Sequence, residues 1–170
     1  MNNQPSVSPR KALENLYKGA RYDIFIIFAL TIVNLVLSFT DSNLYYLFSA
    51  EIPFFVLGIG RALLEKGLIS SLTVPSVLSF VFCIPYLFFW IFSKKHYGCM
   101  IAALVYFSID CVFLISVFTK ELALEAFIHL VVLGLLIYGV VLGAKLKKMP
   151  KDEPSAETPM AEEHSSEENQ

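Results

Sequence analysis

An all-α, polytopic bundle of membrane helices is the fold class this sequence predicts, and three observations carry it. Hydrophobic residues make up 56% of the chain and charged residues only 16%, against roughly a quarter charged in an average soluble domain. Four apolar runs are each long enough to cross a hydrocarbon core of about 30 Å as helix. The cations gather at the ends of those runs, as they do where charge sets membrane orientation. Fifteen Phe and eight Tyr in 170 residues give much apolar area and little polar surface to cover it, so lipid is the natural solvent.

Residues 1–21 read as a cytoplasmic N-terminal segment. Ser8 and Pro9 form an N-cap and first-turn proline, and Leu13, Leu16, Tyr17 and Ala20 fall on one helical stripe. Arg10, Lys11, Lys18 and Arg21 occupy its other positions, which suits an amphipathic helix lying on an anionic leaflet. The first span follows at 22–39, retained and not cleaved as a signal peptide. Thr31, Asn34, Ser38 and Asp41 give it one polar face.

The decisive stretch is 44–60, LYYLFSAEIPFFVLGIG. It is short for a span and holds a carboxylate, Glu51, beside a proline, Pro53, that would interrupt a helix interior. Two solutions follow: a short kinked span, giving five crossings, or a re-entrant segment that returns to the face it entered. Residues 61–73 connect onward, with Arg61 and Glu65 spaced to pair and Gly67 breaking the helix. Span 74–92 carries Pro75 in its first turn, Pro85 as a kink, and a second polar face of Ser76, Ser79, Cys83 and Tyr86. Spans 97–118 and 123–144 contain Asp110 and His129. Residues 145–170 begin with a lysine stop and then become Glu-, Ser- and Pro-rich, the composition of a disordered acidic tail.

Charge chooses between the two topologies. Five spans with the N-terminus inside would put seven Lys and Arg inside and six outside. Four spans put Arg10, Lys11, Lys18, Arg21, Lys94, Lys95, Lys145, Lys147, Lys148 and Lys151 inside, leaving Arg61, Lys66 and Lys120 outside, a ten-to-three division of the 13. The positive-inside rule favours the second arrangement, with both termini cytoplasmic.

In that topology Asp110 and His129 lie at matched depth, each about eight residues, or ~12 Å, below the outer boundary. Asn34, Glu51 and Ser79 fall in the same outer half, so Asn34, Glu51, Ser79, Asp110 and His129 make a candidate intramembrane polar cluster. Ionisable groups within spans are functional candidates, whereas hydroxyl and amide seams serve commonly as interhelical glue. An Asp facing a His is equally a satisfied structural pair. Gly139 and Gly143 form a small-xxx-small pair for helix packing within the chain or on a homodimer face, and the oligomeric state stays open.

Cys83, Cys99 and Cys111 show neither disulfide nor zinc spacing, and no fixed-spacing metal motif, P-loop, nucleophile elbow or dinucleotide fingerprint occurs. No metal and no cofactor is called for. The implied partners are the lipid bilayer and a basic protein able to meet the acidic tail; nucleic acid is not among them. The functional expectation is a non-enzymatic interaction or structural membrane protein, with a small proton-linked carrier using Asp110 and His129 as the alternative.

The run NLYKGARYD, followed by FSAEIPFF, resembles small multi-pass bacterial membrane proteins of uncharacterised function. The resemblance covers roughly residues 15–60 and supports the membrane assignment, with no activity, ligand or catalytic residue to carry over; the bacterial cytoplasmic membrane is the expected location. Glu51 stands where that family would place an apolar or small residue after Ser-Ala.

Overall fold

In the computed structural model, residues 8–40, 46 and 48–150 are described, and among them the chain is all-helical. Helix α1 runs over Pro9–Phe39, α2 over Glu51–Glu65, α3 over Thr73–Phe92, α4 over Tyr97–Ser116 and α5 over Ala123–Lys148, with a 3-10 turn at Lys120–Leu122 between the last two. Helices α1, α3, α4 and α5 are long and apolar enough to cross a membrane. The acidic tail from Lys151 onward, residues 1–7 and Asp41 lie outside the described residues.

The long helices alternate in direction. Tyr17, early in α1, donates its hydroxyl hydrogen to the carbonyl oxygen of Ser93 just past α3. Gly143, late in α5, lies against Tyr97 at the start of α4 and against Tyr17. One end of the bundle therefore gathers the start of α1, the end of α3, the start of α4 and the end of α5. Helix α4 packs on α5, α1 on both α3 and α5, and α2 chiefly on α3. The main core is built from Ile24, Ile27, Tyr86, Met100, Phe107 and Leu136, and a smaller cluster of Leu35, Leu57 and Cys83 lies beneath α2. Large apolar side chains such as Val77, Phe88, Ile109, Val112 and Phe127 cover the outside, which in water would be an unusable surface and in lipid is the required one.

The two polar faces read from periodicity turn inward: Thr31 and Asn34 on α1, and Ser79, Cys83 and Tyr86 on α3, are all buried. The amphipathic segment expected within residues 1–21 is not a separate element. It continues without a break into the first apolar run, giving one helix of 31 residues, because no proline separates the two patterns and Leu13, Tyr17 and Ala20 pack on the core.

Nor does 44–60 form one element. Its described part is non-helical at Tyr46 and Phe48–Ala50, becomes helix at Glu51, and stays helical to Glu65, where Gly67 at φ 69 turns the chain away. Pro53 thus sits in the first turn of α2, where a missing N–H costs nothing, and not in a helix interior. The expected Arg61–Glu65 pair is not formed either: the ion pairs among the described residues are Arg10–Glu14 and Asp110–His129. Arg61 instead donates to the carbonyl oxygen of Ser38 at the end of α1, a backbone acceptor that the helix itself leaves open.

Candidate functional site

A helix leaves its first four N–H groups without intrahelical partners. For α2 these belong to Ala50, Glu51, Ile52 and Pro53, and all four positions are accounted for inside the bundle. Ala50 N–H donates to Thr31 Oγ1 at 2.8 Å. Glu51 N–H reaches Asp110 Oδ2 at 2.9 Å and Oδ1 at 3.1 Å, and Ile52 N–H reaches Oδ1 at 2.8 Å. Pro53 has no N–H to satisfy. Ala50 supplies no side-chain cap of its own, so the carboxylate of α4 serves as the cap from another helix, facing the positive end of the α2 dipole.

Asp110 is held in turn by His129. Nε2 of the ring lies 3.2 Å from Asp110 Oδ2, and Nδ1 lies 3.0 Å from the carbonyl oxygen of Glu125, one turn earlier in α5. A carbonyl oxygen only accepts, so Nδ1 carries a hydrogen, and the other hydrogen bond is made by a proton between Nε2 and Oδ2. Phe107 stacks on the imidazole with centroids 5.3 Å apart. His129 is 2% and Asp110 1% exposed, so the pair has its ring orientation fixed and no open approach from solvent.

The non-helical entry to α2 is fastened by α1. Asn34 Nδ2 donates to the carbonyl oxygen of Tyr46 and to Ser49 Oγ, both at 2.8 Å, while its Oδ1 accepts from Tyr46 N–H at 2.8 Å. An amide with one acceptor and two donor hydrogens is here used on both sides. Of the five cluster residues expected from sequence, the backbone of Glu51, Asp110 and His129 meet directly, and Asn34 joins through the 46–50 segment. Ser79 stands apart: it is buried, but its hydroxyl bonds back to the carbonyl of Pro75 in its own helix.

Two contributors had escaped sequence reading. Spacing puts Thr31 on the polar face but does not show that it accepts from Ala50 N–H. Glu125, buried at the start of α5, looks from sequence like an ordinary first-turn acid. The signal for α2 was present in Ala50-Glu51-Ile52-Pro53, since an acid and a proline in one turn mark a helix start.

The opposite end of the bundle is built differently. A crevice of about 1360 Å³ lies between α1 and the α3–α4 turn, lined by Lys18, Arg21, Lys94, Lys95 and Lys147. Arg21 is fixed there, with Nε on Ser93 Oγ and Nη2 on the carbonyl of Trp90, both at 2.8 Å. The one acid in the lining, Glu14, is already paired with Arg10. Gly139 and Gly143 give α5 its close approach on this side. A Cβ at Gly139 would run into Met100 and Ala20, and one at Gly143 into Tyr97 and Tyr17, so both glycines face packing partners within the chain.

Four helices long and apolar enough to cross a membrane, with large apolar side chains exposed on the outside, suggest a helical integral membrane protein. Compared with protein-family models, with curated proteins and with solved structures, the chain matches none.

Proposed function

We propose that this is a non-enzymatic integral membrane protein of the bacterial cytoplasmic membrane that works through contacts, and that Asp110 and His129 fasten its fold. The observation that carries this reading is the complete use of the Asp110 carboxylate by Glu51 N–H, Ile52 N–H and His129 Nε2 in a closed site. A carrier's site must bind and release, whereas these groups hold one another. Nine of the described cations, from Arg10 to Arg21, Lys94, Lys95 and Lys145 to Lys148, share one end, which supports that end, and both termini, on the cytoplasmic side.

On this reading α2 is a helix of about 22 Å, shorter than the roughly 30 Å hydrocarbon core. The chain descends through residues 46–50, starts α2 at the depth of Asp110, and climbs back to the outer side at Arg61. The acidic tail is then cytoplasmic and available to a basic partner protein.

A proton-linked carrier is the second reading, and the buried Asp110–His129 pair favours it. One proteoliposome experiment separates the two. Single cysteines at Ser42 and Ser70, in a background lacking Cys83, Cys99 and Cys111, are expected to label together with an impermeant maleimide, on the same face. An internal pH dye is expected to report no proton flux beyond that of protein-free vesicles. Protection of Ser70 beside a labelled Ser42 would mean that α2 crosses, and a flux removed by Asp110→Asn would establish the carrier.

A further inference from the structure

We infer that the crevice at the basic end is a binding site for a phosphate-bearing group, in the first place the headgroup of an anionic lipid. Lys18, Lys94, Lys95 and Lys147 line one cavity, and none of them makes an ion pair among the described residues. All four are exposed, so the lining presents an excess of positive charge that an anion entering the crevice would meet. Arg21 is held by Ser93 and Trp90 through Nε and Nη2, so its guanidinium is oriented before any ligand arrives, which spares the ordering cost of binding.

Phosphate suits this lining because its several acceptor oxygens can meet cations arriving from different helices at once. The rest of the wall indicates what is attached to the phosphate. Tyr22, Ile91 and Ile101 also border the crevice, and each is at least two-fifths exposed. Cations and exposed apolar side chains in one lining match a molecule whose phosphate continues into glycerol and acyl chain. The cavity is also several times the size that a bare phosphate needs. The inference rests on the membrane reading above and on the basic end facing the leaflet where anionic lipids concentrate.

Trp90 is the one tryptophan of the chain and lines the crevice, so its emission reports occupancy directly. Full-length protein in maltoside micelles is titrated with short-chain phosphatidic acid, with phosphatidylcholine of the same chain length, and with inorganic phosphate. A saturable change is expected with phosphatidic acid and none with phosphatidylcholine, weakening as salt rises from about 0.1 M to about 0.5 M. Replacing Lys18, Lys94 and Lys95 together by Gln should weaken the response by about a hundredfold. A control that removes the same charge at the same end outside the crevice, Lys11, Lys145 and Lys148 to Gln, should leave it within about threefold.

Saturation or competition by inorganic phosphate would identify a soluble phosphate ester as the source of the same chemistry; its failure to compete would identify the lipid. Equal responses to the two lipids, equal weakening by the two triple variants, or no saturable response to phosphatidic acid or phosphate would overturn the inference. Phosphate competition and salt dependence are read on the unaltered chain and do not depend on a variant's folding. Since Ser42 and Ser70 labelling is measured separately, a negative titration beside intact labelling removes this site alone.

Discussion

At the end of the bundle where α2 begins, Asp110, Thr31 and Asn34 each meet backbone N–H groups of the 46–52 segment at hydrogen-bond distance. At the opposite end, Lys18, Lys94, Lys95 and Lys147 face a crevice whose one acid is committed to Arg10. Both ends are rich in polar atoms, yet one set is used up inside the chain and the other is left facing outward. The difference follows from solvent. Where no water reaches, an unpaired donor costs several kcal/mol, so polar residues survive there only as fastenings. At the boundary, water and headgroups satisfy a lysine, so it is free to serve recognition.

The largest expected effect comes from breaking the fastened end. Asp110→Ala leaves the N–H groups of Glu51 and Ile52 without an acceptor and His129 Nε2 without its partner, and should cost about 3–5 kcal/mol in detergent-solubilised unfolding. Asp110→Asn keeps one acceptor oxygen for the α2 terminus and should cost about half as much. The Trp90 response at the far end should survive in the Asn variant, since no residue is shared between the two sites. Equal losses for Ala and Asn would mean that the negative charge, not the cap, does the fastening.

Next in size is a change at the basic end that touches packing and no charge. A Cβ at Gly143 would stand 2.7 Å from Tyr97 Cε2 and 2.9 Å from Tyr17 Cε2, and Tyr17 is tied to the carbonyl of Ser93, so its ring cannot swing aside freely. Gly143→Ala should therefore cost about 1–3 kcal/mol and alter the Trp90 response, because Tyr17 and Tyr97 line the crevice. Gly139→Ala meets mainly the flexible end of Met100 and should cost less. If the two variants unfold alike, the close approach of α5 is not what shapes the crevice.

How far each end was legible in the sequence follows the same division. Spans, inward polar faces and the gathering of cations are periodic or compositional, so Thr31, Asn34, Ser79, Tyr86 and the lysine clusters could be placed from spacing alone. The capping of α2 by Asp110 joins residues 59 positions apart through a backbone N–H. No side-chain pattern encodes such a bond, which is why Glu51 drew attention for its carboxylate when its N–H is what meets Asp110. Pro53 is ambiguous for a related reason: its meaning depends on where the helix starts, a start that the local Glu-Ile-Pro pattern allows and Asp110 on α4 fastens. Arg61 likewise pairs with a helix-end carbonyl, an acceptor with no sequence signature.

The smallest expected effect sharpens the comparison between the ends, because it concerns a polar atom that fits neither. Tyr86 is buried in the core against Tyr106, rings 5.0 Å apart. Tyr106 donates to the carbonyl oxygen of Phe82, one turn before Pro85, whereas the Tyr86 hydroxyl has no hydrogen-bond partner among the described residues. A buried hydroxyl without a partner carries its desolvation cost uncompensated. Tyr86→Phe keeps the ring and removes that cost, so thermal unfolding should show a neutral change or a gain of up to about 1 kcal/mol. A loss of more than about 1 kcal/mol on Tyr86→Phe would therefore count against the division drawn between the ends, because a polar atom of the core would then be working in an interaction that the fastened geometry does not include.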